Sequence, residues 1–305
     1  TAGLEAACTA AEVGCMTFLI EKEDHLGGLS VEISKIPEKK RLRDFPDYLI
    51  RRASKLKNLI TFTNTEATIP FVQALKPDVI VNATGSTPLL PPITGLRENI
   101  DRPQSSVKGI LGMINNIDNY PMDMEGKKVV VVGGGNTAMD SCRTAKRLGA
   151  EVTLVYRRSE AEMPARLEEV KHAKEEGITF LTLHNPKEYL ADENGAVKAA
   201  VLDVMQLGEP DASGRRSPVA TGNTITIDCD QVIVAVGVSP NPLVPNSIQG
   251  LQLGRKNTIA VDDSMKSSCD SIYAGGDIVR GGATVILAMG DGRRAALNMD
   301  EALRK

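Results

Sequence analysis

A run of valines that stops at three consecutive glycines constrains the fold of this chain most strongly. Val129–Val132 is followed by Gly133–Gly135 and then by a segment of small and polar residues. β-Branched residues favour a strand, and glycines directly after it let the backbone turn tightly and approach a ligand. The pattern predicts a βαβ unit with a helix from about Thr137 to Leu148 and a second strand at Glu151–Tyr156. Such a unit binds a dinucleotide, with the pyrophosphate at the N-terminus of the helix.

The end of the second strand indicates which dinucleotide binds. NAD-binding units have an acidic residue there, which holds the ribose 2′-hydroxyl. This chain has Tyr156, Arg157 and Arg158 instead, and paired guanidinium groups suit the 2′-phosphate of NADPH. A hydrogen bond to a charged group contributes about 1.5–3 kcal/mol, so two arginines would favour NADPH over NADH by roughly two to three orders of magnitude. The alternative is an ordinary solvated basic corner. The residues predicted to hold NADPH here are Gly133, Gly134, Gly135, Asn136, Thr137, Arg157 and Arg158.

Composition bounds the class of protein. A chain of 305 residues is long enough for about two domains. A net charge of −3, 3% aromatic residues and the absence of Trp argue against a nucleic-acid partner. No apolar run is long enough for a membrane span, and no signal peptide precedes Thr1, so we expect a cytoplasmic protein without a membrane partner.

Cysteine and histidine spacing excludes several redox and metal chemistries. The five cysteines contain no C-x-x-C pair, so a redox dithiol of the thioredoxin reductase type and an iron–sulfur ligand set are both missing from the sequence. The three histidines have no metal-ligand spacing. We therefore predict no metal site.

The start of the chain has the features of a second dinucleotide-binding unit. The small residues around Gly3 are typical of the first helix of such a unit, and Met16–Ile20 predicts a strand that ends at Glu21. Glu21 lies eighteen residues after Gly3 (21 − 3), near the spacing of a ribose contact. Gly3 would be the third glycine of a fingerprint whose first strand and first two glycines precede residue 1, so the predicted FAD site is incomplete in the chain as given. A tight turn at Gly28 would let the backbone approach the cofactor.

Strands that end in Ala-x-Gly occur at matching places in both halves. Pro77–Gly85 predicts a buried strand that ends in Ala83-Thr84-Gly85, and Gln231–Gly237 predicts the equivalent strand of the other half. Ser271–Asp277 predicts a strand that carries an aspartate at its end, followed by a helix from Thr284 to about Leu303. An acid and a helix N-terminus together suit a ribityl chain and a pyrophosphate. The residues added to the predicted sites are Gly237 for NADPH and Gly3, Glu21, Gly28, Ala83, Thr84, Gly85, Gly276, Asp277 and Thr284 for FAD.

The remaining segments predict connecting elements. We expect a charged helix at Lys39–Leu56 and a strand at Ile60–Asn64. Asp192–Gly195 predicts a hairpin turn between strands near Tyr189 and at Val197–Met205, with a further strand at Thr224–Ile227.

These motifs together resemble the small (β) subunit of NADPH-dependent glutamate synthase and related flavoproteins with two dinucleotide-binding domains. The segments that carry the resemblance are Gly133–Asp140, Tyr156–Ser159, Glu162–Ala165, Leu207–Arg216, Val236–Pro242 and, more weakly, Ala274–Asp277. The Leu207–Arg216 loop is specific to this group, and neither its chemistry nor the resemblance assigns it a role. Glu21–Gly28 and Thr84–Pro88 are more similar to the flavin domain of dienoyl-CoA and enoate reductases.

The resemblance implies an α/β fold of two Rossmann-like domains, with the NADPH domain inserted into the FAD domain. Residues 1–104 and 265–305 would form the FAD domain, and residues 120–255 the NADPH domain. A hydride would pass from NADPH to FAD, and electrons would leave to a partner subunit or domain that contains an iron–sulfur cluster or FMN. The cofactors carry this chemistry, so we predict binding residues and no catalytic residue. The family's cysteine-rich domain has no counterpart in the sequence, which favours NADPH:acceptor electron transfer over glutamate synthesis as the prediction.

Two other functions stay open from the sequence. One alternative is the reductase half of an enoate-reductase-like enzyme that feeds an FMN barrel. The other is a flavin-free module that binds NADPH.

Overall fold

The computed structural model describes residues 1–96, 107–109, 124–212 and 214–305, with 37, 38 and 107–109 described by their backbone alone. The chain divides into two compact units. The first unit comprises Thr1–Thr87 and Val238–Lys305, and the second comprises Pro88–Gly237. None of the helices within the described ranges combines the length and the apolar composition needed to cross a membrane.

Helices connect the strands within residues 17–82 and again within residues 128–182. The helices are α1 (Ala2–Glu12), α2 (Leu29–Ile33), α3 (Asp44–Ala53), α4 (Ile69–Leu75), α5 (Asn136–Arg147), α6 (Leu167–Glu175), α7 (Leu243–Ser247), α8 (Asp277–Arg280) and α9 (Val285–Leu303). The strands are β1 (Thr17–Ile20), β2 (Leu59–Phe62), β3 (Ile80–Asn82), β4 (Ser86–Pro88), β5 (Val107–Gly109), β6 (Lys128–Val132), β7 (Glu151–Tyr156), β8 (Thr179–Thr182), β9 (His184–Ala191), β10 (Val197–Pro210), β11 (Arg216–Asp228), β12 (Gln231–Val234), β13 (Val238–Pro240) and β14 (Ile272–Ala274). Short 3₁₀ segments lie at Pro37–Arg43, Glu160–Glu162 and Arg255–Asn257.

The second unit is built on a parallel sheet in the order β5-β12-β6-β7-β8. Successive residues of β6 point to opposite faces of this sheet. Val129 and Val131 pack in the cluster that contains Met139 of α5. Val130 and Val132 pack instead in the cluster that contains Leu202 of the antiparallel sheet β11-β10-β9. Because both faces are covered, β6 contains a continuous run of valines rather than alternating apolar and polar residues.

The first unit contains two short parallel strand pairs, β1 with β2 and β3 with β14. Helix α1 is buried along most of its length, because its alanines and Cys8 let other elements approach closely. It lies directly against α9, where a Cβ on Gly292 would fall 2.2 Å from the carbonyl oxygen of Ala2. This contact joins the two chain segments that make up the unit.

Two expected elements differ in extent. The charged helix expected at Lys39–Leu56 is a 3₁₀ segment followed by α3, which begins at Asp44. Pro46 explains this start. In a longer α-helix its ring would clash with the carbonyl group of residue 42, whereas proline is tolerated in the first turn of a helix. The strand expected at Pro77–Gly85 is only β3, in which Ile80 and Val81 are half-buried and Asn82 is buried.

The hairpin of the second unit is longer than the sequence predicted. The turn at Asp192–Gly195 is confirmed, with Asp192 Oδ1 accepting from the backbone N–H groups of Asn194 and Ala196. After this turn, β10 continues to Pro210, where it pairs with Arg216 at the start of β11. The Leu207–Arg216 segment is therefore the tip of a paired β-hairpin rather than a separate loop.

The limits of the two units differ from the predicted domain ranges. Residues 88–96 belong to the second unit, where Leu96 is fully buried and Tyr189 N–H donates to the Thr94 carbonyl oxygen at 3.0 Å. Residues 238–255 belong to the first unit, where Asn241 N–H donates to the Gly85 carbonyl oxygen at 3.0 Å. Which cofactor each unit binds stays a prediction.

Two glycines of α9 provide a test of the α1–α9 contact. Gly292→Ala should destabilise the protein by about 1–3 kcal/mol, because its methyl group would overlap the Ala2 carbonyl. Gly290 is exposed and has no heavy atom within 4 Å of its Cβ position. Gly290→Ala should therefore stabilise the helix by about 0.5–1 kcal/mol. Urea unfolding of both variants measures the difference, and equal effects would contradict the close contact.

Candidate functional site

The glycine turn of the second unit joins the buried strand β6 to α5. Gly133 has a φ of +141°, and a Cβ there would lie 2.2 Å from the carbonyl oxygen of Ala235. Ala235 directly follows β12, and its N–H donates to the Val132 carbonyl oxygen at 2.8 Å. The carboxyl ends of two neighbouring strands thus meet at the turn. Only glycine fits between them.

Gly135 and the first turn of α5 form an open corner at this sheet edge. A Cβ on Gly135 would meet no heavy atom within 4 Å, and Asn136 and Thr137 are exposed. The first N–H groups of a helix have no partner within the helix, and its dipole favours an anion there. Gly135, Asn136 and Thr137 therefore form one contiguous surface that suits a pyrophosphate, and the buried Gly133 and Gly134 lie behind it.

The ring of Tyr156 covers the middle glycine of the turn. A Cβ on Gly134 would lie 2.5 Å from Tyr156 Cε2. The Tyr156 hydroxyl donates to the Glu162 carbonyl oxygen at 2.8 Å. Burial raises the pKa of Tyr156, and the charges of Arg158 and Arg157 oppose that rise. The phenol therefore stays protonated and fixes the segment that follows β7 against the glycine turn.

The two predicted arginines lie at the same edge of the sheet as the turn. Val132 pairs with Val155, so the residues just beyond β7 lie beside the residues just beyond β6. Arg157 is exposed and Arg158 is half-buried. Within the described part of the chain, Arg158 Nε is buried and has no hydrogen-bond partner. An unpaired buried donor costs free energy, which an anionic ligand would recover.

Sequence reasoning missed the segment that closes this corner. Ser159 and Glu162 form a capping box around the 3₁₀ turn. Beyond it, Ala165 N–H donates to the Gly134 carbonyl oxygen at 3.1 Å, and Arg166 N–H donates to Asn136 Oδ1 at 2.9 Å. The Ser-x-x-Glu spacing was a recognisable signal for the cap. No sequence signal indicated the two hydrogen bonds to the glycine turn.

Gly237 completes the predicted residues of the second unit. It lies three residues after β12, which is paired with β6, and it has a φ of +105°. Its carbonyl oxygen accepts from Leu89 N–H at 3.0 Å. Gly237 thus follows the strand that flanks the glycine turn, as the sequence predicted.

Three small predicted residues of the first unit lie around the start of α1. A Cβ on Gly3 would lie 3.3 Å from the Cβ of Ala83, just beyond β3. A Cβ on Gly276, which has a φ of +81°, would lie 2.9 Å from the Cβ of Ala2. The structure therefore brings Gly3, Ala83 and Gly276 together.

Polar groups surround this region. Asp277 begins α8, and its carboxylate accepts from Ser86 Oγ at 3.3 Å and from Ala283 N–H at 3.1 Å. Thr284 Oγ1 caps α9 by accepting from Leu287 N–H at 3.3 Å. Thr84 is exposed and Gly85 is half-buried just beyond β3. The two acceptor contacts fix the Asp277 carboxylate in place.

The other two predicted residues follow the first strand. Glu21 is half-buried at the end of β1, and its Oε1 accepts from Glu23 N–H at 3.0 Å. Gly28 has a φ of +58° and precedes α2. A Cβ on Gly28 would meet no heavy atom within 4 Å, so its backbone is open to a ligand.

Two polar features of the first unit were not predicted. Among the described residues, Asn82 Nδ2 is buried at the end of β3 without a hydrogen-bond partner. Asp291 of α9 is 1% exposed and accepts from both Nε and Nη2 of Arg280 at 2.6 Å and from Gly276 N–H at 3.2 Å. This ion pair fixes the turn that precedes Asp277, and it raises the pKa of Arg280. Nothing in the local sequence pairs two residues that are eleven positions apart.

Comparison with known proteins identifies the family. A family model described as pyridine nucleotide-disulphide oxidoreductase matches residues 1–292. The chain belongs to this family. The family is one of NAD(P)H-dependent flavoprotein oxidoreductases, whose cofactors are NAD(P)H and FAD.

Three curated relatives confirm the predicted resemblance to glutamate synthase small subunits. The NADP(+)-dependent formate dehydrogenase subunit beta of Moorella thermoacetica is 45% identical over 62% of this chain and 27% of the relative. The glutamate synthase [NADPH] small chain of Escherichia coli (strain K12) is 38% identical over 63% of this chain and 42% of the relative. The small chain of Azospirillum brasilense is 34% identical over 97% of this chain and 63% of the relative. The chain thus spans less than two thirds of each of these relatives.

Solved structures confirm the predicted fold class. Thioredoxin reductase from T. acidophilum superposes with a TM-score of 0.76 at 19% identity, covering 100% of this chain and 96% of that chain. FprA from Mycobacterium tuberculosis in complex with NADPH gives a TM-score of 0.75 at 17% identity, covering 99% of this chain and 82% of that chain. At these identities the likeness shows the fold alone.

The cysteines differ from what the family's description suggests. All five are free thiols, and the sequence contains no C-x-x-C pair. Burial raises the pKa of the Cys8 thiol to about 11 and also raises that of Cys15. Both therefore stay protonated near neutral pH, where only a thiolate is reactive.

The two outer glycines of the turn should separate folding from binding. Gly133→Ala should cost about 1–3 kcal/mol of stability, because its methyl group would overlap the Ala235 carbonyl. Gly135→Ala should leave stability within about 0.5 kcal/mol, since its Cβ would lie in open space. It should still weaken NADP⁺ binding by about tenfold, a loss of about 1.4 kcal/mol. Thermal unfolding and calorimetric titration measure the two effects, and unchanged affinity in Gly135→Ala would contradict the binding surface.

Proposed function

We propose that this chain is the electron-input unit of a larger oxidoreductase: it oxidises NADPH through FAD and delivers the electrons to a partner subunit or domain. The proposal of NADPH rather than NADH rests on one observation. Arg157 and the partly buried Arg158 follow β7 at the edge where the glycine turn opens, and the buried Arg158 Nε has no hydrogen-bond partner among the described residues.

In the second unit, the residues fit NADPH. Gly133 leaves room only for backbone, and Gly135 with the first turn of α5 offers N–H groups to the pyrophosphate. Arg157 and Arg158 would hold the 2′-phosphate, since guanidinium groups donate charge-assisted hydrogen bonds to phosphate oxygens. The segment beyond Ser159 would keep the turn in position through its two backbone hydrogen bonds.

In the first unit, the residues fit FAD. Glu21 would bind the ribose of the adenosine, and Asp277 would bind the ribityl chain, its carboxylate being fixed by Ser86 and Ala283. The buried Nδ2 of Asn82 is a donor that lacks a partner in the described chain and suits a bound polar ligand. The chemistry that FAD supplies when bound is acceptance of a hydride from NADPH and release of electrons to an acceptor.

The partner is proposed from the relatives' names and from the cysteines. Two relatives are subunits or chains of larger enzymes by name: a formate dehydrogenase subunit beta and a glutamate synthase small chain. The free, widely spaced cysteines of this chain offer no dithiol to receive electrons. An iron–sulfur cluster or FMN in a partner subunit or domain would take that role. Free thiols also agree with a cytoplasmic location, where disulfides are rare.

A flavin spectrum tests the proposal directly. The full-length protein, purified and reconstituted with FAD, should show flavin absorbance that NADPH bleaches anaerobically. An added one-electron acceptor should then restore the absorbance. A protein that binds no FAD, or a bound flavin that NADPH does not reduce, would exclude electron transfer through this chain.

Removal of the paired arginines tests the choice of cofactor. Arg157→Ala combined with Arg158→Ala should weaken NADPH binding by about 100-fold and leave NADH binding nearly unchanged, because two charged hydrogen bonds to the 2′-phosphate are lost. Arg293 and Arg294 are also adjacent and exposed, so Arg293→Ala combined with Arg294→Ala is a matched control. Titration of flavin reduction with each nucleotide measures the affinities. An equal loss for NADPH and NADH would mean that Arg157 and Arg158 do not contact the phosphate.

A further inference from the structure

The tip of the β10–β11 hairpin belongs to the Leu207–Arg216 segment, which has no assigned role, and hydrogen bonds connect its strand β10 to the backbone of Arg158. The Arg158 carbonyl oxygen accepts from Leu183 N–H at 3.0 Å, and the Leu183 carbonyl oxygen accepts from Met205 N–H at 2.7 Å. Met205 lies in β10 five residues before its end at Pro210. Two hydrogen bonds therefore connect the predicted 2′-phosphate residue to the strand that leads into the tip.

Hydrogen bonds join the described residues on the two sides of the tip. Asp211 N–H donates to the Arg215 carbonyl oxygen at 2.9 Å, and Gly214 N–H donates to the Asp211 carbonyl oxygen at 2.8 Å. Arg215 N–H in turn donates to Asp211 Oδ1 at 3.0 Å. These bonds hold the backbone of Arg215 in one conformation at the end of the hairpin.

The two arginines of the tip differ in what their side chains do. Arg216 Nε donates to the Gly208 carbonyl oxygen at 3.1 Å, so its guanidinium lies back along its own hairpin. Arg215 is exposed, and no ion pair to it occurs within the described ranges. Its charge therefore stays available to an external anion.

The charge of Arg215 acts on the phenol that covers the glycine turn. Burial raises the pKa of the Tyr156 hydroxyl; Arg158, Arg157 and Arg215 act against that rise, and Glu162 adds to it. Coulomb interactions weaken with distance and with solvent screening. The hairpin tip leaves the sheets at the edge where β7 and β8 end, because β9 begins at His184 and β10 continues past it to Pro210. The Arg215 charge accordingly acts on the same phenol as the charges of Arg157 and Arg158.

We propose that Arg215, delivered by the hairpin tip, is a third contact for the 2′-phosphate of NADPH beside Arg157 and Arg158. The inference rests on the proposed function and assigns a role to the Leu207–Arg216 segment. Positive charges on neighbouring guanidinium groups repel one another, and a phosphate dianion bound between them relieves that repulsion. The hairpin would thus close over the adenosine end of the cofactor and make selection against NADH stricter than two arginines alone allow.

The experiment uses two small probes that differ in the 2′-phosphate alone. Adenosine 2′,5′-bisphosphate and 5′-AMP are titrated calorimetrically into the full-length, flavin-loaded protein and its variants. Arg215→Gln should weaken the bisphosphate by about fivefold to twentyfold, the loss of one charge-assisted hydrogen bond. It should leave 5′-AMP within twofold, since 5′-AMP has no 2′-phosphate. Arg216→Gln removes the same charge one residue away and should leave both probes within about twofold.

The outcomes separate the inference from the proposed function. If Arg215→Gln leaves the bisphosphate unchanged while Arg157→Ala with Arg158→Ala weakens it, NADPH recognition stands and the role of Arg215 is wrong. An equal loss for both probes, or an equal loss in Arg216→Gln, would also overturn it, because the effect would then be structural or a general effect of charge. If the unaltered protein does not prefer the bisphosphate over 5′-AMP, the choice of NADPH itself fails.

Discussion

The close passage of Gly133 against the Ala235 carbonyl oxygen is the contact on which the second unit's site depends. A side chain at residue 133 would push apart two neighbouring strands of a parallel sheet, because its Cβ would lie 2.2 Å from that oxygen. With the strands in contact, the first turn of α5 begins directly at the sheet edge. The residues beyond β7 then lie beside the same turn, with the Tyr156 ring against Gly134. The basic and glycine-rich parts of the site are neighbours for this reason.

In the first unit, too, glycines allow a close approach of the backbone that positions the predicted site. Gly276 and Gly292 each approach Ala2 of α1, so the start of that helix lies against the turn before Asp277. A buried carboxylate then fixes the turn, since Asp291 accepts from Gly276 N–H and from Arg280. A buried ion pair contributes little net stability but strongly penalises the loss of one partner. Its effect here is to hold the backbone before Asp277 in one conformation.

The family and the cysteines together indicate how electrons leave the chain. The fold is shared with thioredoxin reductase, whereas the free and mostly buried cysteines of this chain provide no exchangeable dithiol. The proposed electron exit is therefore a partner rather than a disulfide. The hairpin formed by β10 and β11 lies in the unit that carries the paired arginines, and the proposed contact of Arg215 gives this motif a function in cofactor selection.

The sequence by itself determined the βαβ unit around Gly133–Gly135, the strand at Glu151–Tyr156 and the family, because β-branched runs, glycine turns and strand-end residues act locally. It also predicted the acceptors Glu21 and Asp277 at the positions where strands end. The tertiary structure decided how far β10 and β11 extend and which side chains are paired. Asp291 with Arg280, and Asn136 with the backbone of Arg166, join residues that are distant in the chain. Such contacts depend on packing between elements, and no spacing in the sequence encodes them.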